Sequence, residues 1–292
     1  MPSGSEFAIE LPSPLVELPG GPGAGRGVRL LLKRDDLLHP EVPGTKWRKL
    51  RDNLALARAQ GHRRLLTFGG AYSSHLRATA AAGRHFGFGT IGVVRGEEHR
   101  PLNESLAYAE RQGMRLTYLD RTTYRRKTDP DVLAALTGRF GPAYLIPEGG
   151  GNGPAVRGCA ELPGEITEDF DVLCCACGTG ATLAGLAAGL GPRQRAIGFP
   201  VLKGGRFLEA EVRRLQREAF GAETGNWSLD CDFAFGGYAR RTAALDAFIA
   251  DFQHRHGVGL DRVYEAKMMY GLFQRIRTGT FARGTTVVAL LC

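Results

Sequence analysis

Gly44-Thr45-Lys46-Trp47-Arg48-Lys49-Leu50 is the stretch on which the fold of this chain turns. Ahead of it lie a strand-like run, Val28-Arg29-Leu30-Leu31-Leu32-Lys33, and a charged turn, Arg34-Asp35-Asp36. Gly44 closes the loop, Thr45 is a good N-cap, and Trp47, Leu50 and Leu54 recur at helical spacing. Lys46 is therefore expected at the first helical position, where free amides and the helix dipole disfavour a cation. A lysine in that setting, if also desolvated, is suited to forming an imine with a carbonyl. Taken alone, the pattern is met more simply by a solvated lysine of a first turn.

Strand and helix signals alternate beyond this segment. The Lys46 helix is expected to end near Gly61, followed by the apolar strand Arg64-Leu65-Leu66-Thr67-Phe68 and a Gly69-Gly70 turn. Ser73 or Ser74 then caps an alanine-rich helix. Further strands are expected over residues 90–94, 116–119, 144–146, 172–177, 196–199 and 286–291. Helices are expected from Pro101 to Gly113, and over residues 130–140, 179–190, 207–220, 240–256 and 264–278, with another running through Cys159. This alternation argues for an α/β fold of largely parallel sheets covered by helices. No repeat and no linker rich in Pro, Gly and Ser divides the chain, so periodicity places no domain boundary.

The 292 residues, 43% hydrophobic and 23% charged, suffice for one large domain or two linked ones. The net charge of +8 is dispersed, and its densest run, Arg121 to Lys127, reads as solvated surface rather than a nucleic-acid footprint. No basic region followed by an apolar stretch opens the chain, so no targeting segment is expected. Gly4-Ser5-Glu6-Phe7 reads as a vector remnant. Val172 to Pro192 is uncharged and long enough to span a membrane, but glycines at 178, 180 and 185 divide it into strand, loop and helix. Cys174-Cys175-Ala176-Cys177 contains a CxxC with no second pair or nearby histidine, which favours small apolar fillers on a buried strand. A reducing cytoplasm is the expected setting. His254 and His256 lack carboxylates at metal-site spacing, and no metal is expected.

Two glycine turns carry further chemistry. Cys177-Gly178-Thr179-Gly180-Ala181-Thr182-Leu183-Ala184-Gly185 brings a buried strand into small residues that open a helix, a setting for an anion. A dinucleotide loop would want glycine at position 183, where Leu stands, and an acid ending the next strand, which instead ends Gly198-Phe199-Pro200. A tight turn that binds nothing fits the same residues. Phe68-Gly69-Gly70-Ala71-Tyr72-Ser73-Ser74-His75 is the second turn; its hydroxyls and amides suit a carboxylate, or simply an N-cap.

Arg34-Asp35-Asp36-Leu37 together with Gly44 to Leu50 resembles the cofactor-lysine segment of the 1-aminocyclopropane-1-carboxylate deaminase and D-cysteine desulfhydrase family. These are pyridoxal-phosphate enzymes of the tryptophan-synthase-β-like fold, fold type II. The resemblance recurs along nearly the whole chain. It implies that Lys46 carries pyridoxal 5'-phosphate and that Gly178, Thr179, Gly180, Ala181 and Thr182 hold its phosphate. Ser73 matches the serine that contacts substrate, and Ser74 stands where the family has an asparagine facing the cofactor's phenolic oxygen. Val201-Leu202-Lys203-Gly204-Gly205 and Phe235-Gly236-Gly237-Tyr238-Ala239 also resemble family segments, the second implying an active-site role for Tyr238. Asp261-Arg262-Val263-Tyr264-Glu265-Ala266-Lys267 places Tyr264 near substrate and Glu265 at the pyridine nitrogen, although a plain helix start with a surface acid fits these residues too. Lys203 and Lys267 are expected to be structural or surface lysines.

Thr45 and Ser74 each replace a family asparagine, and the sequence stops at Leu291-Cys292 where the family continues into a Thr-Gly-Gly loop. The resemblance further implies a smaller inserted domain over residues 50–150 and a larger one from 1–49 and 151–292, with the cofactor between them. The expected activity is that of a lyase or deaminase releasing ammonia and a 2-oxo acid from a small amino acid, with sulfide from a thiol substrate. Lys46 would shuttle protons, with Ser73 anchoring the carboxylate and Tyr238 and Tyr264 as acid–base candidates. A catalytically silent cofactor-binding protein and a racemase or group-replacement enzyme are the alternatives. A homodimer is expected, with no nucleic-acid or membrane partner.

Overall fold

Runs of Val, Leu, Ile and Cys bounded by charged residues or glycine become the strands of two sheets in the computed structural model, which describes residues 8–292. The segment Gly4-Ser5-Glu6-Phe7 lies outside the described residues. The strands are β1 (Leu15–Glu17), β2 (Arg29–Arg34), β3 (Arg64–Gly69), β4 (Gly89–Arg95), β5 (Met114–Leu119), β6 (Tyr144–Ile146), β7 (Val172–Cys177), β8 (Arg195–Pro200), β9 (Trp227–Leu229) and β10 (Thr286–Leu291). The helices are α1 (Thr45–Ala59), α2 (Ser74–Phe86), α3 (Glu104–Arg111), α4 (Arg121–Arg125), α5 (Pro130–Phe140), α6 (Gly153–Ala160), α7 (Ala181–Gly189), α8 (Leu208–Phe220), α9 (Ala243–His256) and α10 (Glu265–Arg277).

One sheet has the order β1-β2-β10-β7-β8-β9, drawing on both ends of the chain; the other has the order β5-β4-β3-β6 and comes from residues 64–146. All strand pairs are parallel except β1 with β2. Parallel strands are covered on both faces, which is why their sequences read as continuous apolar runs. Successive residues of β7 alternate accordingly. Cys174 packs with Met268, Leu272 and Phe252 on the side of α9 and α10, while Cys175 and Cys177 pack with Leu183, Val212 and Leu215 on the side of α7 and α8. All the cysteines are free, and those of β7 are buried fillers as expected.

Because the strands run parallel, their carboxyl ends share one edge of each sheet, where α/β folds place ligands. At that edge β2 leads toward α1, β7 leads into Gly178-Thr179-Gly180, and β10 ends beside Cys292. In the smaller sheet β3 leads into Gly70–Ser73 and β6 into Pro147–Asn152. The helix α6 is clamped between α1 and α7 by backbone approach. A Cβ at Gly158 would lie 2.0 Å from Arg48 O, and one at Gly185 would lie 2.4 Å from Val156 O.

Several local expectations shift. Thr45 is not the N-cap; Gly44 is, with φ of 59°, and Thr45 is the first helical residue. The reason is geometric: Gly44 needs the left-handed region, and a Cβ there would lie 2.5 Å from Cys292 Cα. Lys46 consequently sits at the second helical position. The three-residue edge strands β1 and β9 are too short to show a period. Residues 121–125 of the basic run 121–127 form the short α4, capped by Asp120 Oδ1, which accepts from Thr122 N and Thr123 N. No helix among the described residues is long and apolar enough to cross a membrane.

Candidate active site

Lys46 is held in place by its own helix. Two residues on, Arg48 is 2% exposed and Asp35 is fully buried. Arg48 Nε and Nη2 donate to Asp35 at 2.6 and 3.0 Å, while Nη1 and Nη2 donate to Glu165 at 2.7 and 2.8 Å. Ser13 Oγ donates to Asp35 at 2.6 Å, and Lys33 Nζ donates to Ser13 O at 2.6 Å. The Asp35 and Arg48 of the opening motif are thus a buried lock that ties α1 to the end of β2; burial opposes the charge, but the hydrogen bonds and carboxylates of Glu165 and Asp35 outweigh it and leave the arginine firmly cationic.

From that mount the Lys46 side chain reaches the edge of both sheets. Its Nζ lies 5.9 Å from the centroid of the Tyr264 ring. Desolvation lowers its pKa most, and the neighbouring Lys49 lowers it further. Gly178 lies against the same tyrosine, since a Cβ on it would be 3.1 Å from Tyr264 Cε1. Tyr238 stands edge-on to Tyr264, with ring centroids 6.0 Å apart. Burial above all, and then Tyr238, raise the Tyr264 hydroxyl, which therefore stays protonated.

Glu265 follows Tyr264 and is 5% exposed. Its Oε2 accepts from Asp261 N at 3.1 Å and its Oε1 from Cys292 N. Burial, reinforced by Asp261, nonetheless pushes its carboxyl up to about 8. A buried acid so raised is protonated near neutrality, and a cationic group brought against it would draw it back down. Between the usual 4.5 and about 8 the folded chain holds a proton that the unfolded chain lacks. The stability this carboxyl contributes is therefore complete below about pH 4.5 and drains as the pH rises through 8. Glu265→Gln should flatten that slope in urea denaturation of cofactor-free protein. The wild type should lose about 3–5 kcal/mol more than the variant between pH 5 and 9. Equal slopes would show that the carboxyl is already ionised in the fold.

Sequence reasoning missed two groups. Lys49, one helical turn after Lys46 and 7% exposed, points its stem at Gly150: a Cβ there would be 3.2 Å from Lys49 Cβ and 3.6 Å from His75 Cε1. The signal was the i,i+3 spacing of the two lysines. His75 Nε2 lies 2.9 Å from Thr67 Oγ1, which itself donates to Ile146 O at 2.8 Å. The ring proton is therefore assigned to Nε2, and the buried Nδ1 is left without a partner. Burial, with Lys46 and Lys49 nearby, lowers His75 to about 3, so it is neutral.

The loop 178–182 meets the same place from the other sheet. A Cβ at Gly149 would lie 2.8 Å from Thr179 Cγ2, and Gly180, with φ of 82°, is the N-cap of α7. Thr182 and Ala181 are buried in its first turn. Ser73 caps α2 by accepting from Leu76 N at 3.3 Å, whereas Ser74 is exposed at the first position of that helix. Lys203 is exposed and lies against Gly237, where a Cβ would be 3.5 Å from its Cβ and N, while Lys267 is 1% exposed.

These residues suit a planar aldehyde cofactor bearing a phosphate. The desolvated Lys46 amine is suited to forming an imine with such an aldehyde. The helix start after Gly180, with Lys49 nearby, suits a dianion. The crowding at Gly149, Gly150 and Gly178 marks a cradle that any side chain there would fill, and His75 Nδ1 is an acceptor awaiting a donor. Replacing Gly180 with valine should weaken pyridoxal-phosphate affinity about tenfold or more, because a β-branched residue resists positive φ. Titration of the folded variant with unchanged affinity would remove the loop from the site.

Comparison with known proteins agrees with this chemistry. The family model described as "Pyridoxal-phosphate dependent enzyme" matches residues 7–292. A Pyrococcus furiosus protein provisionally named 1-aminocyclopropane-1-carboxylate deaminase is 30% identical over 267 residues, 87% of this chain and 81% of the relative. The mitochondrial bifunctional D-cysteine desulfhydrase/1-aminocyclopropane-1-carboxylate deaminase of Arabidopsis thaliana is 29% identical over 300 residues, 94% of this chain and 74% of the relative. A crystal structure of an ACC deaminase homologue superposes with a TM-score of 0.84 at 28% identity, covering 97% of this chain and 89% of that one. The structure of a hydrogen sulfide-producing enzyme from Fusobacterium nucleatum shares the fold, with a TM-score of 0.68 at 12% identity over 96% of this chain and 94% of that one. The chain belongs to the pyridoxal-phosphate-dependent enzymes, and within them it is a homologue of the 1-aminocyclopropane-1-carboxylate deaminases and D-cysteine desulfhydrases.

Proposed function

We propose that this enzyme is a lyase or deaminase that releases ammonia and a 2-oxo acid from a small amino acid. The observation that carries the proposal is the desolvated Lys46 amine facing Tyr264, with the buried Glu265 next in sequence. Lys46 would hold pyridoxal phosphate, with Gly178 to Thr182 and Lys49 around the phosphate and Glu265 at the ring nitrogen. When bound, the cofactor supplies an electron sink for negative charge that develops on the substrate.

The chain's own groups account for the remaining work. Burial lowers the pKa of Lys46 Nζ, which suits it to take and return a proton at the substrate. Tyr264 keeps its proton and so serves as a donor toward a leaving group or a strained carbon. Ser73, at the start of α2, offers its hydroxyl and the neighbouring amides to the substrate carboxylate. Tyr238 completes the polar wall beside Tyr264. In this reading residues 50–150 form the smaller domain and the two chain ends the larger one, with substrate entering between them.

Glu265 favours the deaminase branch, because an anion at the ring nitrogen keeps the ring cationic and strengthens the electron sink. The decisive experiment is a panel of D- and L-amino acids, including D-cysteine, D-serine and 1-aminocyclopropane-1-carboxylate, with 2-oxo acid, ammonia, sulfide and product stereochemistry all followed. Release of a 2-oxo acid from at least one member is expected. Inversion without ammonia would instead mark a racemase, and no turnover by fully loaded protein would mark a silent cofactor-binding protein.

A further inference from the structure

The loop between β9 and α9, residues 230–242, brings Tyr238 to the site and is fastened along one face of α10. Lys267, Gly271 and Arg275 recur there at four-residue spacing. Arg275 grips Asp230 at 2.7 and 3.0 Å and also binds Asp232. Gly271 admits the Phe233 ring, whose Cδ2 would lie 2.6 Å from a Cβ at that position. Lys267 Nζ donates to Ala234 O at 3.0 Å and to Gly237 O at 2.6 Å. Phe235 packs edge-on against Tyr270 of the same helix, with ring centroids 5.0 Å apart.

Two unfavourable features coincide in this loop. Lys267 is 1% exposed, and among the described residues its ammonium bonds only to those two carbonyls. An enclosed ammonium with no carboxylate in ion-pair contact, Asp261 acting on it only from a distance, is costly, and a methionine would fill the space without that penalty. The backbone it grips is strained as well: Phe235 and Ala239 hold φ of 51° and 55°, on either side of Gly236 at 83° and Gly237 at 123°. Side chains stay in that region only where their surroundings over-determine them. What the grip secures is Tyr238, which is 40% exposed and otherwise lies at the protein surface.

We propose that Lys267 is a positioning residue that latches residues 233–240 onto α10 and so sets Tyr238 beside Tyr264. The latch stands on geometry alone; only its consequence for turnover rests on the proposed function. Without Lys267, the buried Gly237 O loses its donor, Ala234 O keeps only the turn's own Gly237 N, and the strained turn loses its tie to α10 at that point.

The test is Lys267→Met in the pyridoxal-phosphate-loaded protein, followed by hydrogen exchange with mass spectrometry. Amides of residues 233–240 should exchange at least about tenfold faster, with α9 and the rest of α10 unchanged and the cofactor absorbance retained. Unchanged exchange in 233–240, or uniform acceleration across the protein, would overturn the latch. If the methionine variant does not fold, Lys267→Gln keeps an N–H donor and should show a smaller acceleration confined to the same loop; its absence would likewise overturn the proposal. With an amino acid that the enzyme turns over, Lys267→Met and Tyr238→Phe should each lower kcat about tenfold, and the double variant should be no slower than either. Additive losses would show that Lys267 does not act through Tyr238. If no amino acid is turned over, the exchange result still decides the latch, and the failure falls on the proposed function.

Discussion

Arg48→Met will lower the stability of the folded protein by about 3–5 kcal/mol, as measured by urea denaturation at pH 7. Arg48 is the hub of a buried network, with two fork-like contacts to Asp35 and Glu165 and both partners held further by Ser13 and Lys33. Removing the cation leaves Asp35, which is fully buried, with only the Ser13 hydroxyl as a side-chain hydrogen-bond partner among the described residues and the Lys33 charge nearby. The methionine recovers some apolar packing but none of the charge compensation, so the unpaired carboxylate dominates the loss. Because the network joins α1 to the end of β2, the damage falls on the helix that carries Lys46. A loss below about 1 kcal/mol would mean that water compensates Asp35 once the arginine is gone. By contrast, the exposed Arg213 and Arg217 pairs with Glu223 should each contribute at most about 1 kcal/mol.

Lys46→Ala should abolish the visible absorbance of the lysine-bound cofactor and lower turnover of any accepted amino acid by about 10⁴-fold, the upper range for a proton-transferring group. The fold should survive. Lys46 is half-buried and contacts the Tyr264 ring, but it belongs to no ion pair among the described residues, and alanine is the best helix former. The same substitution removes a positive charge beside His75, whose pKa that charge helps to lower. Residual activity near that of wild type would assign proton transfer to another group, and Lys49, one helical turn away, would be the next to test.

The parts legible in the sequence are those made by a strand running straight into a turn and a helix. The segment Gly44–Leu50 and the loop Gly178–Thr182 each show a helix start within ten residues, because glycine and small hydroxyl residues open a helix there; that the two starts serve a cofactor was implied only by the family resemblance. Tyr238, Tyr264 and Glu265 were singled out through family resemblance, since a tyrosine or an acid at a helix start has no local signature. The Arg48–Glu165 contact spans 117 residues and His75 reaches Thr67 across a turn and a strand, so neither partner can be found from spacing. Lys267 was expected to be an ordinary structural or surface lysine; its enclosure depends on a loop thirty residues earlier folding back onto α10. Gly44 displaced Thr45 as the cap because the end of β10 crowds the backbone there, a contact between residues far apart in sequence.

The measurement that bears most directly on the central claim is borohydride reduction of the pyridoxal-phosphate-loaded wild type, followed by peptide mass spectrometry. Reduction fixes the cofactor to whichever lysine holds it. A pyridoxyl mass on the peptide containing Lys46, with fragmentation placing it on that residue, is the predicted result. A label on Lys49, Lys203 or Lys267 instead would contradict the assignment, and with it the site built around Lys46, Tyr264 and Glu265.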